Sequence, residues 1–274
     1  MNRALRHGVL ATALVLIVCG VVALFSWLSY VDQRAALAPL TSRAIGSVES
    51  FSAGAVVVRW PSGTASVAFA DGARFVGKQA QVAFDPADPS RAVIPGADQL
   101  VATDRTLGGV TATSVVAFLV ILAGVLRVLL SVRASRSLPA VPVRRIRVQS
   151  GLMVRSWLEI DGPVERWLPV YYDPVLVTLP SPALVSGVYP SGRAVTRHPR
   201  GRRLDNPAQP DGLTVAPRWP AQVRADAVLL VPAPFVGLFW AYLDGSGFTG
   251  WLIATAVAAA LGLWWGAWRG SDPS

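Results

Sequence analysis

The chain has 274 residues, of which 53% are hydrophobic and only 15% are charged. This composition argues against a purely soluble protein and favours a membrane protein. The formal net charge of +9 comes almost entirely from arginine, because Lys78 is the only lysine. We interpret the abundance of Ala, Val, Arg and Gly as the mark of a GC-rich bacterial genome, so a high arginine content is weak evidence for function.

Two residue types limit the chemistry that the chain can perform. Cys19 is the only cysteine, which excludes an internal disulfide and a cysteine-based metal site. His7 and His198 are the only histidines, which leaves little for zinc chemistry or for a histidine general base. The sequence therefore predicts no catalytic, cofactor-binding or metal-binding residue. Whether the protein is an enzyme stays open, with a non-enzyme favoured.

The first two apolar runs, at 8–31 and 107–132, are each long enough for a helix to cross a hydrocarbon core of about 30 Å. A cleavable signal peptide is the alternative for the first run, since Arg3 and Arg6 precede it. The length of the run favours an uncleaved anchor. Trp27 and Tyr30 favour the same interpretation, because they resemble an interfacial anchor.

Two further runs, at 227–243 and 248–268, predict an antiparallel helical hairpin, because only the turn 244–247 joins them. Pro232 and Pro234 should kink or break the third run. That run is short, so a re-entrant segment is the alternative to a full span. The expected fold class is therefore a four-helix membrane protein with two small β-rich soluble modules.

The placement of arginine predicts the orientation. The loop at 32–106 has seven basic and seven acidic residues, whereas the loop at 133–226 has fourteen arginines and seven acids. The second loop should therefore be cytoplasmic, as should the termini 1–7 and 269–274. The expected location is the bacterial cytoplasmic membrane, with the first loop outside the cell.

The outer module, 32–106, contains alternating segments typical of β-strands. Residues 54–60 and 64–70 are joined at Pro61-Ser62-Gly63, which predicts a hairpin. A further strand should end at Phe84, where Asp85-Pro86 and Asp88-Pro89 follow. We expect each aspartate to accept a hydrogen bond from the backbone N–H two residues ahead. The module should be an antiparallel sheet or open barrel of four or five strands.

The segment from Val76 to Ser90 also supports a resemblance. A strand introduced by Val76-Gly77 and closed by Phe-Asp-Pro-Ala-Asp-Pro-Ser, between two spans, resembles an uncharacterised family of bacterial membrane proteins of actinobacterial type. The resemblance covers about residues 9–132. It implies a short extracytoplasmic β domain between two transmembrane helices, and it brings no activity or site residue with it.

The inner module, 133–226, is expected to be β-rich, with strands within 155–162, 165–174 and 183–198 that follow a basic juxtamembrane segment. Residues 197–212 are rich in Pro, Gly and Arg, which predicts a mobile loop. Turn motifs shared with the outer module occur in reversed order. We interpret them as common turn chemistry, with a tandem duplication as the alternative.

The basic residues nearest the second span are candidates for contact with lipid headgroups. They are Arg127, Arg133, Arg136, Arg144, Arg145 and Arg147. The simplest alternative is the positive-inside bias alone, with Arg127 extending its side chain to the interface. Nucleic-acid binding is not expected, because no recognised motif accompanies the charge.

Gly262 and Gly266 form a G-x-x-x-G motif in the fourth run. This spacing permits close approach of helix backbones. The contact is expected either within the chain, against the third run, or with a second copy in an oligomer.

The expected partners are membrane lipids and an envelope protein. The leading hypothesis is an accessory, scaffold or regulatory protein of an envelope complex that offers exposed strand edges to a partner. The alternative is a membrane enzyme that acts on a lipid or envelope precursor through its basic cytoplasmic module. A transporter or channel subunit is a third class, made less favourable by the scarcity of polar residues in the apolar runs.

Overall fold

The computed structural model describes residues 3–137, 140–178, 182–204 and 219–274. These residues form α-helices and two antiparallel β-sheets, in agreement with the expected combination of apolar helices and β modules. The chain divides into two compact units, residues 20–115 and residues 1–19 with 116–274. The division falls inside both long helices.

Three helices within the described ranges are long and apolar enough to cross a membrane. They are α1 (Arg3–Leu37), α2 (Asp98–Ser137) and α6 (Gly247–Arg269). Even the shortest, α6, has 23 residues. At 1.5 Å per residue it extends about 35 Å, slightly more than a hydrocarbon core of about 30 Å.

The third apolar run is broken rather than continuous. It follows α4 (Trp219–Asp226) and comprises a 3₁₀ turn (Ala227–Leu230) and α5 (Ala233–Asp244). The helical segment Trp219–Leu230, which is α4 with the 3₁₀ turn, is bent by 40° relative to α5, and Pro232 lies at the break. Proline lacks the N–H that would continue the helical ladder. If the bent pair is one span, the described residues contain four candidate spans; the other interpretation is a re-entrant segment.

The first sheet belongs to the unit 20–115 and has the strand order β3-β2-β1-β4-β5. Its strands are β1 (Ser42–Ser52), β2 (Ala55–Trp60), β3 (Gly63–Ala68), β4 (Gln79–Phe84) and β5 (Ala92–Val93). β1 pairs with β4 over Ser42–Ser47 and with β2 over Ser47–Ser52. The long central strand is therefore shared between two neighbours that occupy its two halves.

Local turn chemistry in this sheet is as the sequence predicts. The hairpin of β2 and β3 closes through Pro61 and Ser62, with Trp60 opposite Gly63. After β4, the Asp85 carboxylate accepts from the N–H of Ala87 at 2.9 Å. Asp88 accepts from the N–H of Ser90 at 3.1 Å. Both expected Asp-Pro turns are thus confirmed.

The inner face of the first sheet forms a single apolar core. Its largest fully buried side chains come from β1, β2, β4 and the segment after β5: Val48, Val56, Val58, Val82 and Ile94. Leu37 near the end of α1 and Leu100 in the first turn of α2 pack against it. The backbone N–H of Ala70 donates a bifurcated hydrogen bond to the two carboxylate oxygens of Asp98, at 3.1 and 3.2 Å, which ties the start of α2 to the sheet.

The second sheet belongs to the other unit and is built around β6. Its strands are β6 (Val141–Ser150), β7 (Met153–Ile160), β8 (Arg166–Pro169), β9 (Ala183–Val185) and β10 (Arg202–Leu204), with the short helix α3 (Val175–Thr178) after β8. β6 pairs with β7 along one edge, and with β9 and β10 in succession along the other.

Two parts of this sheet differ from the expected inner module. The second half of the basic segment, with Arg144, Arg145 and Arg147, is a central strand, β6, whereas Arg133 and Arg136 belong to the last turns of α2. The expected loop 197–212 contains β10, which pairs with Arg147–Gln149. Residues 205–212 of that loop lie outside the described residues. A central strand must alternate its side chains between two faces, so it turns some of its arginines inward.

We expect Phe69→Ala to destabilise the unit that contains the first sheet. Phe69 is buried and lies 5.0 Å, centroid to centroid, from the ring of Phe75. Truncation of a buried Phe costs about 3–5 kcal/mol of unfolding free energy. Pulse proteolysis of the full chain in neutral detergent, across a urea series, measures this change. Ser66→Ala, at an exposed position of β3, is the control, with an expected change within about 0.5 kcal/mol. Equal stability of the two variants would contradict the core assignment.

Candidate functional site

The end of α6 is attached to the second sheet by the C-terminal segment. Gly270 has φ 76° and ψ 56°, a left-handed conformation that ends the helix and that glycine adopts without strain. The chain then pairs with β7, because Ser271 lies opposite Arg155 and the N–H of Asp272 donates to the carbonyl of Val154 at 2.9 Å. The apolar helix α6 and the second sheet are thus joined within three residues.

Asp272 is at the centre of a buried polar cluster under the second sheet. Its carboxylate accepts from Arg145 at 2.6 Å and from the Ser156 hydroxyl at 2.5 Å. Ser274 donates its backbone N–H and its hydroxyl to the other carboxylate oxygen at 3.0 and 2.6 Å. The side chains of Asp272 and Arg145 are only 0% and 6% exposed. Both charges are therefore removed from water and matched to each other.

The electrostatics of Asp272 are determined by these partners. Burial alone would raise the pKa of this carboxyl, but the Arg145 guanidinium and the hydrogen bonds from Ser156 and Ser274 outweigh it, so the pKa lies below its ordinary value. Tyr172 shows the opposite effect: burial, with the charge of Asp272 as a second cause, raises its pKa to about 12. The aspartate is thus ionised and the tyrosine neutral at physiological pH.

A second buried polar group joins the N-terminal part of α1 to α4. Nε2 of His7 lies 2.5 Å from the carboxylate of Asp226, and the indole N–H of Trp219 donates to Nδ1 of His7 at 3.2 Å. Because Trp is only a donor, Nδ1 accepts, which leaves Nε2 as the nitrogen that donates to Asp226. The second oxygen of Asp226, Oδ1, is buried and has no hydrogen-bond partner in the described part of the chain.

Small and hydroxyl side chains bring α1 and α6 close together in the same unit. Thr12 accepts hydrogen bonds from the indole N–H groups of Trp264 and Trp268 at 3.1 and 3.0 Å. A Cβ atom at Gly8 would lie 2.9 Å from the ring of Trp268. The indole of Trp268 is therefore fixed by both packing and a hydrogen bond, which positions the last turn of α6.

The six arginines that the sequence predicts to contact lipid lie in different environments in the structure. Arg133, Arg136 and Arg144 are exposed. Arg127 instead donates to the backbone carbonyl of Trp268 at 2.5 Å, and so satisfies a carbonyl in the last turn of α6.

Arg145 and Arg147 turn toward the buried cluster. Arg145 binds Asp272, and Nε of Arg147 lies 3.9 Å from the same carboxylate. Their inward direction follows from strand alternation, which places residues two apart on one face. An open headgroup contact remains a prediction for the exposed members, Arg133, Arg136 and Arg144, whereas the side chain of Arg145 is held inside the fold.

The glycines of the G-x-x-x-G motif face the end of α4 and the 3₁₀ turn that follows it in the same chain. A Cβ at Gly262 would lie 2.7 Å from the backbone carbonyl oxygen of Leu229. At Gly266 it would lie 2.6 Å from Oδ1 of Asp226. Of the two contacts expected from the sequence, the structure contains the one within the chain. The motif lets the Leu229 backbone and the Asp226 carboxylate approach α6.

Sequence reasoning missed the acids that organise these clusters. Asp272 lies 127 residues from Arg145, and Asp226 lies 219 residues from His7. No local spacing connects such pairs. The one available signal was the pattern Val141-Pro-Val-Arg-Arg-Ile-Arg-Val148, whose alternating β-branched residues are typical of a strand.

Comparison of the chain with protein-family models, curated proteins and solved structures finds no match. The resemblance of residues 9–132 to an uncharacterised bacterial membrane family therefore stays a prediction. Within the described residues, no group of three or more His, Cys, Asp or Glu side chains is arranged to hold a metal ion.

We expect Asp272→Asn to destabilise the second unit strongly, because it leaves the Arg145 charge buried without a counter-ion. Loss of one partner of a buried pair costs about 3–5 kcal/mol. The control is Asp161→Asn, which removes the acid from the neighbouring pair of β6, Arg144–Asp161, whose side chains are 55% and 44% exposed. Exposed pairs contribute about 0–1 kcal/mol. Urea unfolding in neutral detergent distinguishes the two, and comparable losses would contradict the buried pair.

Acid titration tests the same cluster independently. The folded pKa of Asp272 is depressed, so its contribution to stability is present above the ordinary carboxyl pKa of about 4 and is lost as the pH falls below it. The unfolding free energy of the wild type should fall over this range more steeply than that of Asp272→Asn. Parallel pH profiles for the two proteins would rule out a depressed Asp272 pKa.

We expect Gly262→Ala to destabilise the chain, because its new methyl group would meet a backbone oxygen that cannot move as freely as a side chain. Overpacking of this kind costs about 1–3 kcal/mol. Gly20→Ala in α1 is the matched control, since nothing lies within 4 Å of its Cβ position. Thermal unfolding in detergent should show a lower midpoint for Gly262→Ala alone. An unchanged midpoint would contradict the close contact with Leu229.

Proposed function

We propose that the chain is an integral protein of the bacterial cytoplasmic membrane that acts as an accessory, scaffold or regulatory component of an envelope complex. The apolar helices support the membrane location. The excess of arginine at 133–226 supports a cytoplasmic position for that loop, cytoplasmic termini and an extracytoplasmic position for 32–106. The two soluble modules would then be available to partners in different compartments.

The free half-edge of β1 is the observation that carries the scaffold proposal. Over Ser42–Gly46, β1 pairs with β4 on one edge. On the other edge its pairing with β2 begins only at Ser47, so the described residues include no strand partner for Ser42–Gly46 there. An unpaired edge offers backbone N–H and C=O groups to an additional strand. An extended segment of another protein would extend the sheet at this position.

The side chains beside this half-edge indicate the chemistry of the partner segment. Ile45 is 69% exposed and borders a shallow groove lined also by Gly46, Ser47, Arg59, Trp60, Pro61 and Gln79. Arg43 is exposed on the same face of β1, two residues from Ile45. A partner strand with an apolar side chain opposite Ile45 and an acidic one near Arg43 complements both. Main-chain pairing would provide affinity, and the two side chains would provide specificity.

The scaffold proposal predicts that Ile45→Asp prevents binding of one specific protein. The tagged full chain is isolated gently from its native membrane, and proteins and lipids retained in stoichiometric amounts are identified by mass spectrometry. We expect to recover a single partner protein, which reciprocal isolation also recovers. The amount of this partner bound to Ile45→Asp should be lower by at least about tenfold. An ionised carboxylate there replaces a hydrophobic contact and adds the cost of its own desolvation.

Ser66→Asp is the matched control for this experiment. Ser66 is exposed on β3 of the same sheet, so the variant introduces the same charge away from the half-edge. It should retain the partner. Retention of the partner by Ile45→Asp would overturn the docking site. Isolation of the chain alone with one lipid or precursor would instead favour the alternative function, a membrane enzyme that acts on that molecule.

A further inference from the structure

We propose that Arg127, Arg155 and Arg269 form a binding site for a phosphate group, and that this group belongs to the headgroup of an anionic membrane lipid. The site lies where α6 ends on the second sheet. It differs from the group of exposed arginines, Arg133, Arg136 and Arg144, and shares no member with that group. The proposal does not depend on the scaffold function.

The three guanidinium groups are brought together by the attachment of α6. Arg269 is in the last turn of α6. Arg127 donates to the carbonyl of Trp268, the residue before it. Arg155 lies opposite Ser271, two residues after Arg269. Three distant parts of the sequence thus meet around one helix end.

The three arginines have no carboxylate partner within ion-pair distance among the described residues. The nearest acid in sequence, Asp272, is committed to Arg145, Ser156 and Ser274 on the other side of β7. Arg155 donates one Nη2 hydrogen bond to the Ser191 hydroxyl at 3.1 Å, while its buried Nε has no hydrogen-bond partner in the described ranges. A buried donor without a partner indicates an unfilled interaction.

The positive charges at this site act on Arg155. Its pKa is lowered to about 10, first by burial and then by the positive charge of Arg269, with Arg127 adding to the effect. The C-terminal end of α6 offers only about half a negative charge in compensation. Three positive charges around that end therefore leave a surplus that a phosphate anion would neutralise.

Aromatic rings lie against two of the three cationic groups. The Arg269 guanidinium lies 4.6 Å from the ring centroid of Trp265, and Trp265 is itself 45% exposed. The Arg155 guanidinium lies 5.4 Å from the ring of Trp157. Tryptophan prefers the interface between hydrocarbon and water. Planar guanidinium groups bind phosphate oxygens in pairs, so the geometry suits a phosphate ester at that depth.

The test measures retention of phosphatidylglycerol by the full chain in neutral detergent. Native mass spectrometry in high-salt buffer counts the bound lipids, because salt screens exposed charges more than partly buried ones. The wild type should retain one phosphatidylglycerol. Arg269→Gln should weaken binding about tenfold through loss of a charge-assisted hydrogen bond. Arg269 is exposed, so this substitution does not put folding at risk.

Two comparisons make the result specific. The double variant Arg133→Gln/Arg136→Gln removes two charges from exposed positions near the same end of α2, one more than Arg269→Gln removes. It should nevertheless change lipid retention by no more than about twofold. Arg155→Gln/Arg269→Gln should abolish retention. Equal losses in the two double variants, or no retained lipid in the wild type, would overturn the site.

Competition with inorganic phosphate identifies the source of the phosphate group. If phosphatidylglycerol resists an excess of inorganic phosphate, and phosphatidylcholine does not replace it, the ligand is an anionic lipid. The other outcome is that inorganic phosphate displaces the lipid and protects the wild type against thermal unfolding, but does not protect Arg155→Gln/Arg269→Gln. That result would support the phosphate site and overturn the proposal that the phosphate belongs to a lipid.

Discussion

The attachment of α6 to β7 is the constraint on which the unit formed by residues 1–19 and 116–274 depends. It requires a left-handed residue directly after the helix, and Gly270 provides it. Space is limiting as well, because a Cβ there would lie 3.0 Å from the carbonyl oxygen of Val170. Only after this turn can Asp272 reach Arg145 beneath the sheet. A single glycine thus connects the geometry of an apolar helix to the burial of an ion pair.

The Asp272–Arg145 pair contributes geometric definition more than net stability. The transfer of two charges out of water is costly, and mutual attraction repays that cost only when the remaining hydrogen-bonding groups are also satisfied. Here the carboxylate receives further donors from Ser156 and Ser274. Any register of the C-terminal segment other than the observed one would leave a charge buried without a partner. The pair therefore selects one docking position out of several that apolar contacts alone would allow.

The sequence predicts those parts of the fold whose causes are local. Apolar runs, the hairpin at Pro61-Ser62 and both Asp-Pro turns follow from residues within a few positions of one another, and the structure contains all of them. The sequence does not predict β6, because a segment so rich in arginine resembles a solvated segment beside the membrane. Its central position becomes evident only when β7, β9 and β10 pair with it.

The candidate site was less predictable for the same physical reason. Ion pairs and hydrogen bonds such as His7–Asp226 and Arg145–Asp272 join residues that are neighbours only after folding. Strand alternation indicates that Arg145 and Arg147 share a face, but not that this face is buried or that an acid from the C-terminal segment covers it. The cluster at Arg155 depends in addition on where α6 ends, which no property of β7 reveals.

The positions of the arginines carry more information than their number. A GC-rich composition accounts for many arginines, and exposed ones such as Arg144 cost little wherever they occur. Composition does not explain why neighbouring residues of β7 face two opposite electrostatic environments. Ser156 faces an acid matched to buried arginine, whereas Arg155 faces Arg269 and Arg127. Since a partly buried surplus of positive charge destabilises the fold that creates it, its presence at the end of an apolar helix indicates that an anion belongs there.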